Sequence, residues 1–460
     1  MSRRKVTARI AIAAGIAMAI VVTLAGSRLY ADAVPAGWTG SHTKAIGYSD
    51  LAGRGGAFKM AIREVNGRWY LYMGHLWHRG WSIVDVTDPA SPTFVKFVPW
   101  PTDNTWTIQM ELHGNLMITA LERQQAAWGG DLTKPFDEGV VLWDISDPVN
   151  PKQLSQWKTG GTGTHRNGYP GGKYAYLSAA MPGYSGYILV ILDVSDPKAP
   201  KEAGRWWMPG QKDGEPPLPV SAPGIPTGIH GPAVIEGNRA YLGYGPAVVI
   251  LDITNVAAPK VVGQLRLDPP FGQGVVAVHD VALIPGRSLL LANSEAVAGD
   301  NPASTSCDEP FPGAMLIDIK DETKPRLVSM LPTPAPPAGA PYTSFCDKGG
   351  RFGPHNPNLE YHLPDVQTQG DLVYLTYFNA GLRIFDIRNP RVPTEVGWFV
   401  PPTPTTPCGL IPTHKLVTQT EDVLVDRRGN IYITDKQWGL WVLRHTPDQP
   451  GTTANANRAK

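Results

Sequence analysis

Short runs of apolar β-formers, each ending in Asp and followed by a polar turn, recur along the whole chain. They read GWSIVDVTDP (80–89), GVVLWDISDP (139–148), ILVILDVSDP (188–197), AVVILDITNV (247–256), AMLIDIKDET (314–323) and GLRIFDIRNP (381–390). A seventh, GLWVLRHTPD (439–448), has Arg444 where the others have Asp. Ahead of each lies a hairpin pattern, an apolar strand, a short turn and a second strand carrying Tyr or Leu, as in HGPAVIEGNRAYLGY (230–244) and DVLVDRRGNIYIT (422–434). After it comes a strand such as PKEAGRWW (200–207) or PKVVGQLRL (259–267). Each unit therefore reads as a four-stranded antiparallel meander, strands A to D from the inside outwards. Repeats about 50–70 residues long, built only of strands and turns, predict an all-β, seven-bladed β-propeller.

The last unit stops after strand C, and the missing strand is found at the other end of the chain. Thr43-Lys44-Ala45-Ile46-Gly47-Tyr48 fits the P-K-x-V-G pattern of the D strands. Residues 43–50 are expected to pair with the last strand C, closing the ring and leaving no exposed edge at the seam. The propeller is placed at 43–445, and the polar tail, 446–460, is expected to be disordered.

The phrase I-V-D-V-T-D-P (83–89), together with upstream A-Y-L strands at 175–177 and 240–242, resembles the LVIVD-repeat family of extracytoplasmic β-propellers. The resemblance implies the fold and says little about activity, because one fold hosts many functions. The repeated Asp is read as a turn-capping residue between strands C and D.

With 49 Gly, 45 Pro and 18% charged residues, the composition suits many tight turns and little surface helix. A net charge of +1 gives no reason to expect nucleic acid or an anionic membrane as partner. Arg3, Arg4 and Lys5 precede an apolar stretch from Ile10 to Gly26 and then Ala31-Asp32-Ala33, the order of a secretory signal over 1–33. An extracytoplasmic protein is expected, meeting a membrane only if that segment stays uncleaved as an anchor. Cys307, Cys346 and Cys408 fit one disulfide and one free thiol, with the pairing left open.

Aligning the hairpins on Tyr176, Tyr241 and Leu290 puts His165, His230 and His279 each eleven positions upstream. His355, in Gly-Pro-His-Asn-Pro (353–357), has the context of His230 in Gly-Ile-His-Gly-Pro (228–232). The equivalent residues elsewhere are Lys59, Thr107 and Glu421. Four consecutive units thus carry His at the start of the innermost strand, at one mouth of the central channel. Four imidazoles there form a candidate site for a transition-metal ion, copper or iron ahead of zinc. Glu122, Glu295 and Glu421 are expected to orient imidazole N–H groups from behind. By analogy the set is similar to the four-histidine iron centre of carotenoid-cleaving propeller enzymes, although it carries no motif of theirs. The competing reading has the same histidines stapling neighbouring blades by hydrogen bonds.

The long loops, 121–138 and 293–312 between strands B and C, and 208–229, 332–354 and 401–419 between D and A, all fall on the histidine face. That clustering marks it as the functional side, with His75 and His78 read either as pocket-lining or, more often at this spacing in a loop, as ordinary surface residues. His362 and His445, in a turn and near the tail, are left out of the ligand set. Two functions follow. One is a metalloprotein, an oxidoreductase of a small organic substrate. The other is a non-catalytic propeller binding a protein or glycan partner on its long-loop face.

Overall fold

The computed structural model describes residues 31–216, 228–267, 276–296, 313–368, 370–410 and 415–447. The leader up to residue 30, Cys307, and the tail from residue 448 lie outside the described residues. Strands dominate. The helical content among the described residues is a 3-10 turn, Ala126–Trp128, and a four-residue helix, Phe345–Lys348. No helix among them is long and apolar enough to cross a membrane.

The first unit pairs Ala57–Val65, Arg68–His75, Gly80–Asp85 and Thr93–Pro99 in that order, all antiparallel. The meanders from Val234 to Arg266 and from Val276 to Met330 repeat the arrangement. The second and third units fuse into a nine-stranded sheet, because Leu116–Arg123 runs on until Glu122 pairs with Gly163 at the start of the third. The sixth unit departs from the expected pattern. Leu372–Thr376, Leu382–Asp386 and Thr394–Val400 pair in order, but strand A is replaced by an extended segment. That segment is held by His355 N–H donating to Thr376 O (2.8 Å) and by a single bridge between Pro357 and Leu375. An outer strand that the sequence pattern did not announce, Thr39–Ser41, adds to Thr394–Val400.

Thr43–Ser49 pairs antiparallel with Gly439–His445, from Thr43 opposite His445 to Ser49 opposite Leu440. Its details match those of the other D strands. In every D strand the register skips one residue at the same place: Val95, Leu154, Ala203, Val262, Val328, Val396 and, here, Ile46. The bulge turns the following residue onto the C–D turn of the next unit. A Cβ on Gly204 would sit 1.9 Å from Val256 O, on Gly263 2.1 Å from Glu322 O, and on Gly47 2.3 Å from Pro89 O. Only glycine allows that approach. Ser155 and Ser329 solve it differently, donating their hydroxyls to Pro197 O (2.7 Å) and Pro390 O (2.6 Å).

The repeated Asp has the role its context suggested. Asp85, Asp144, Asp193, Asp252, Asp318 and Asp386 each accept the backbone N–H two residues on, at 2.8–2.9 Å. These Asx turns fix the C–D corner in all six copies. Hydrogen bonds from Ser146, Ser195, Thr254 and Arg388 hold Asp144, Asp193, Asp252 and Asp386 below the ordinary carboxylate range. Between sheets the apolar faces interlock. One buried cluster joins Leu71 and Tyr72 of the first unit, Met117 and Val141 of the second, and Leu424, Tyr432 and Val442 of the last.

Candidate functional site

The innermost strands share an irregularity where the histidine register falls. Their pairing with strand B slips between Ala57 and Met60, Thr164 and Asn167, Val276 and Asp280, and Thr420 and Val423. Side chains of strand B in the preceding unit hold this stretch by donating to its carbonyls. Ser178 donates to Ile229 O, Asn293 to His355 O, Thr376 to Glu421 O and Thr434 to Phe58 O, all at 2.7–2.9 Å. The accepting carbonyl belongs to the register residue in two of these units and to the residue before it in the other two.

The structure brings the four histidines together as a row. Ring centroids are 4.5 Å apart for His165 and His230, 4.7 Å for His230 and His279, and 4.8 Å for His279 and His355. All are buried or nearly so. Within the row, ligand atoms of His230, His279 and Glu295 all lie within 4.8 Å of one another. His165 and His355 flank this group. Glu295 stands on its open side, with Oε2 at 3.3 Å from His279 Nε2 and 3.8 Å from His230 Nε2, and Oε1 at 3.7 Å from His355 Nε2. Glu295 was expected to orient an imidazole from behind, and it is placed instead as a direct ligand candidate.

Three histidines have Nδ1 engaged by an acceptor behind the ring. His165 Nδ1 meets Glu122 Oε2 at 2.7 Å, His279 Nδ1 meets Asp280 Oδ2 at 2.9 Å, and His355 Nδ1 meets Glu421 O at 2.7 Å. Such contacts engage Nδ1 and leave Nε2 as the ring atom that faces forward. The Tyr187 hydroxyl donates to the other Glu122 oxygen, and its ring stacks on His165 at 5.6 Å. His279 Nε2 and His230 Nδ1 are buried without a hydrogen-bond partner in the structure.

Charge around the row is dense and mostly paired. Arg351 Nη1 holds Glu295 Oε1 at 2.7 Å, and Lys436 Nζ holds Glu421 Oε1 at 2.8 Å. Burial alone would raise the Glu295 carboxyl, but His279, Arg351, Arg166 and His165 together hold it below its ordinary value. Burial, reinforced by the neighbouring imidazoles and by Arg166, holds His230 and His355 far below the ordinary histidine range, so both are neutral at pH 7. Neutral imidazole is the form that binds metal.

A second polar layer, one residue further along the strands, was missed from sequence. Arg166 reaches from the third unit to the sixth, donating to Asn356 Oδ1 (2.6 Å) and to His355 Nε2 (2.9 Å), with Asp280 Oδ2 at 3.7 Å. Asn356 in turn donates to Asp422 Oδ1 (3.0 Å). Extending the histidine alignment by one position would have found Arg166, Asp280, Asn356 and Asp422. Arg351 and Lys436 lie outside the repeat register and gave no such signal.

His75 and His78 border a cavity of about 310 Å³ on the long-loop face, together with Trp77, Trp106 and Trp128. Arg351 and Lys436 lie over the Trp128 ring, at 5.3 and 4.5 Å from its centre, which links that cavity to the histidine row. Cys346 is disulfide-bonded and Cys408 is free; the other end of the disulfide lies outside the described residues.

The profile of the LVIVD repeat matches residues 69–98, 171–207 and 363–400. No curated protein sequence matches the chain. Among solved structures, the β-propeller domain of Cps50 (Swd1) from Myceliophteria thermophila is 10% identical, covering 85% of this chain and 96% of that one, with a TM-score of 0.50. The periplasmic gluconolactonase of Pseudomonas aeruginosa is 10% identical over 82% and 96%, with a TM-score of 0.49. Streptogramin B lyase is 11% identical over 88% and 98%, with a TM-score of 0.47. Only the first, at a TM-score of 0.50, bears on this chain, and at 10% identity it bears on the fold alone. The repeated Asx-capped phrase, the four-stranded meanders and the matched repeats agree: the chain carries LVIVD repeats at three places and has an all-β propeller fold.

Proposed function

We propose that this is an extracytoplasmic metalloprotein whose histidine row holds one transition-metal ion, and that it acts as an oxidoreductase on a small organic substrate. His230, His279 and Glu295 supply the nearest ligands, and His165 and His355 flank them. An imidazole-rich set without thiolate favours copper or iron over zinc. What supports this most is the gap between His279 Nε2 and Glu295 Oε2, 3.3 Å across. His279 Nδ1 is engaged by Asp280, so Nε2 is the ring atom turned towards Glu295, and the two can share one cation. The aromatic cavity, joined to the row through Trp128 and Arg351, gives a small substrate a place on the same face. The finer architecture belongs to the same proposal: seven blades, with the ring closed by Thr43–Ser49, exported by the N-terminal segment.

Metal analysis of the purified protein tests this. Near-stoichiometric copper or iron is expected, and its loss in a His230→Ala, His279→Ala variant that still folds. A folded protein that carries neither metal and takes up neither Cu2+ nor Fe2+ on reconstitution contradicts it.

A second reading, a non-catalytic propeller that binds a glycan or protein partner, draws on the indoles of the long-loop face. Trp77 and Trp106 flank Trp128 at 5.9 and 6.1 Å, and indole faces suit stacking on sugar rings. Under that reading Trp106→Ala abolishes retention on a glycan array, and metal content has no bearing on it.

A further inference from the structure

The innermost strands have a second end, on the face with the short turns, and a cavity of about 270 Å³ opens there. It lies among the second to sixth blades, with Tyr169, Ala233 and Leu283 on its walls, and Glu111, Glu360 and His362 on its lining. These last three residues come from far apart in sequence. Glu111 is on strand A of the second blade, and Glu360 and His362 lie in the A–B connection of the sixth, the same connection that departs from the regular meander. A carboxylate oxygen from each Glu and a ring nitrogen of His362 all lie within 4.8 Å of one another.

Two features set this group apart from a solvated acidic cluster. Glu111 is 4% exposed, yet its carboxyl makes no hydrogen bond or ion pair among the described residues. Buried carboxyls without partners are costly, so an unpartnered one on a cavity wall points to something that partners it. His362 carries the second feature. Its Nε2 is buried without a hydrogen-bond partner among the described residues. A ring nitrogen left without a partner, with two carboxylate oxygens within 4.8 Å, is placed as a metal-binding imidazole would be. Glu360 is anchored by an ion pair with Lys59, which leaves its second oxygen free to coordinate.

We infer that Glu111, Glu360 and His362 form a second cation site, for a divalent ion such as Zn2+ or Mn2+, at the opposite end of the channel from the histidine row. Two carboxylate oxygens and one imidazole make a three-ligand set suited to these ions, and the cavity on its open side leaves room for water ligands. The site is independent of the one proposed above, because it shares no residue with it.

The test uses the full chain carrying His230→Ala and His279→Ala, so that only the lower site remains, titrated with Zn2+ by calorimetry and with Mn2+ by electron paramagnetic resonance. One ion per chain is expected, with affinity falling at least tenfold in Glu111→Gln and in His362→Gln. Thermal unfolding without metal checks that each variant folds; should Glu111→Gln fail to fold, His362→Gln decides alone. No saturable binding in the double variant overturns the inference, as does binding that His362→Gln leaves unchanged.

Discussion

Tyr48 is where closure of the ring can be measured. It sits on the N-terminal strand, 6% exposed, with its ring 5.0 Å from Trp441 and 6.2 Å from Trp438, and its hydroxyl donating to Trp438 O at 2.6 Å. Both partners belong to the last blade, so Tyr48 contributes only if the two ends of the chain are joined. Tyr48→Phe keeps the ring and loses the hydrogen bond, which is worth about 0.5–1.5 kcal/mol. Tyr48→Ala also removes two aromatic contacts and leaves a cavity, and large-to-small changes of this kind cost about 3–5 kcal/mol. Equilibrium urea unfolding followed by tryptophan fluorescence reads both numbers. Tyr48→Ala is expected to lower the midpoint several times more than Tyr48→Phe, and to speed proteolysis at the last strand, Gly439–His445. Equal, small effects for the two variants, below about 1 kcal/mol, would refute closure by this strand.

Other expectations follow from the same contacts. Arg166→Met removes the guanidinium that links His355, Asn356 and Asp280 across the channel, so stability should fall by about 3–5 kcal/mol, while affinity for Cu2+ rises because His355 Nε2 is released. Thermal unfolding and metal titration on one preparation check both signs. Glu295→Gln keeps the side-chain shape and removes the charge, and should lower metal affinity at least tenfold; unchanged uptake counts against Glu295 as a ligand. Burial, then the nearby Arg383, pushes the Lys348 ammonium from the ordinary lysine value down to about 7. With the folded value below the unfolded one, the cost of burying this ammonium is full below pH 7 and fades as pH rises toward 10.5. Lys348→Met should therefore be more stable than the native protein at pH 6, by a few kcal/mol. That advantage should shrink steadily between pH 7 and 10; a difference independent of pH would show that the charge is not its source.

Much of the fold was legible because a repeat states each local rule several times. The Asx turn at Asp85 is repeated at Asp144, Asp193, Asp252, Asp318 and Asp386, and P-K-x-V-G marked the D strands, including the one at Thr43–Ser49. The register that aligned His165, His230, His279 and His355 worked for the same reason. Residues outside the repeat were not legible. Arg351 and Lys436 reach the row from loop and strand-end positions without equivalents in other blades. The layer of Arg166, Asp280, Asn356 and Asp422 was hidden by the rule that adjacent residues of a strand face opposite ways. The pairing slips in strand A break that rule. His362 was set aside because it stood in a turn, and only the irregular sixth blade brings it to Glu111.

The central claim, a metal ion held by the histidine row, is tested most directly by X-ray absorption at the metal edge of the purified full-length protein. The account predicts copper or iron in a shell of nitrogen and oxygen atoms at about 2.0–2.1 Å. Imidazole scattering from at least two rings should be present and sulfur absent, with the imidazole signal lost in His230→Ala, His279→Ala. A sulfur-containing shell, or an edge spectrum that the double substitution leaves unchanged, would contradict it.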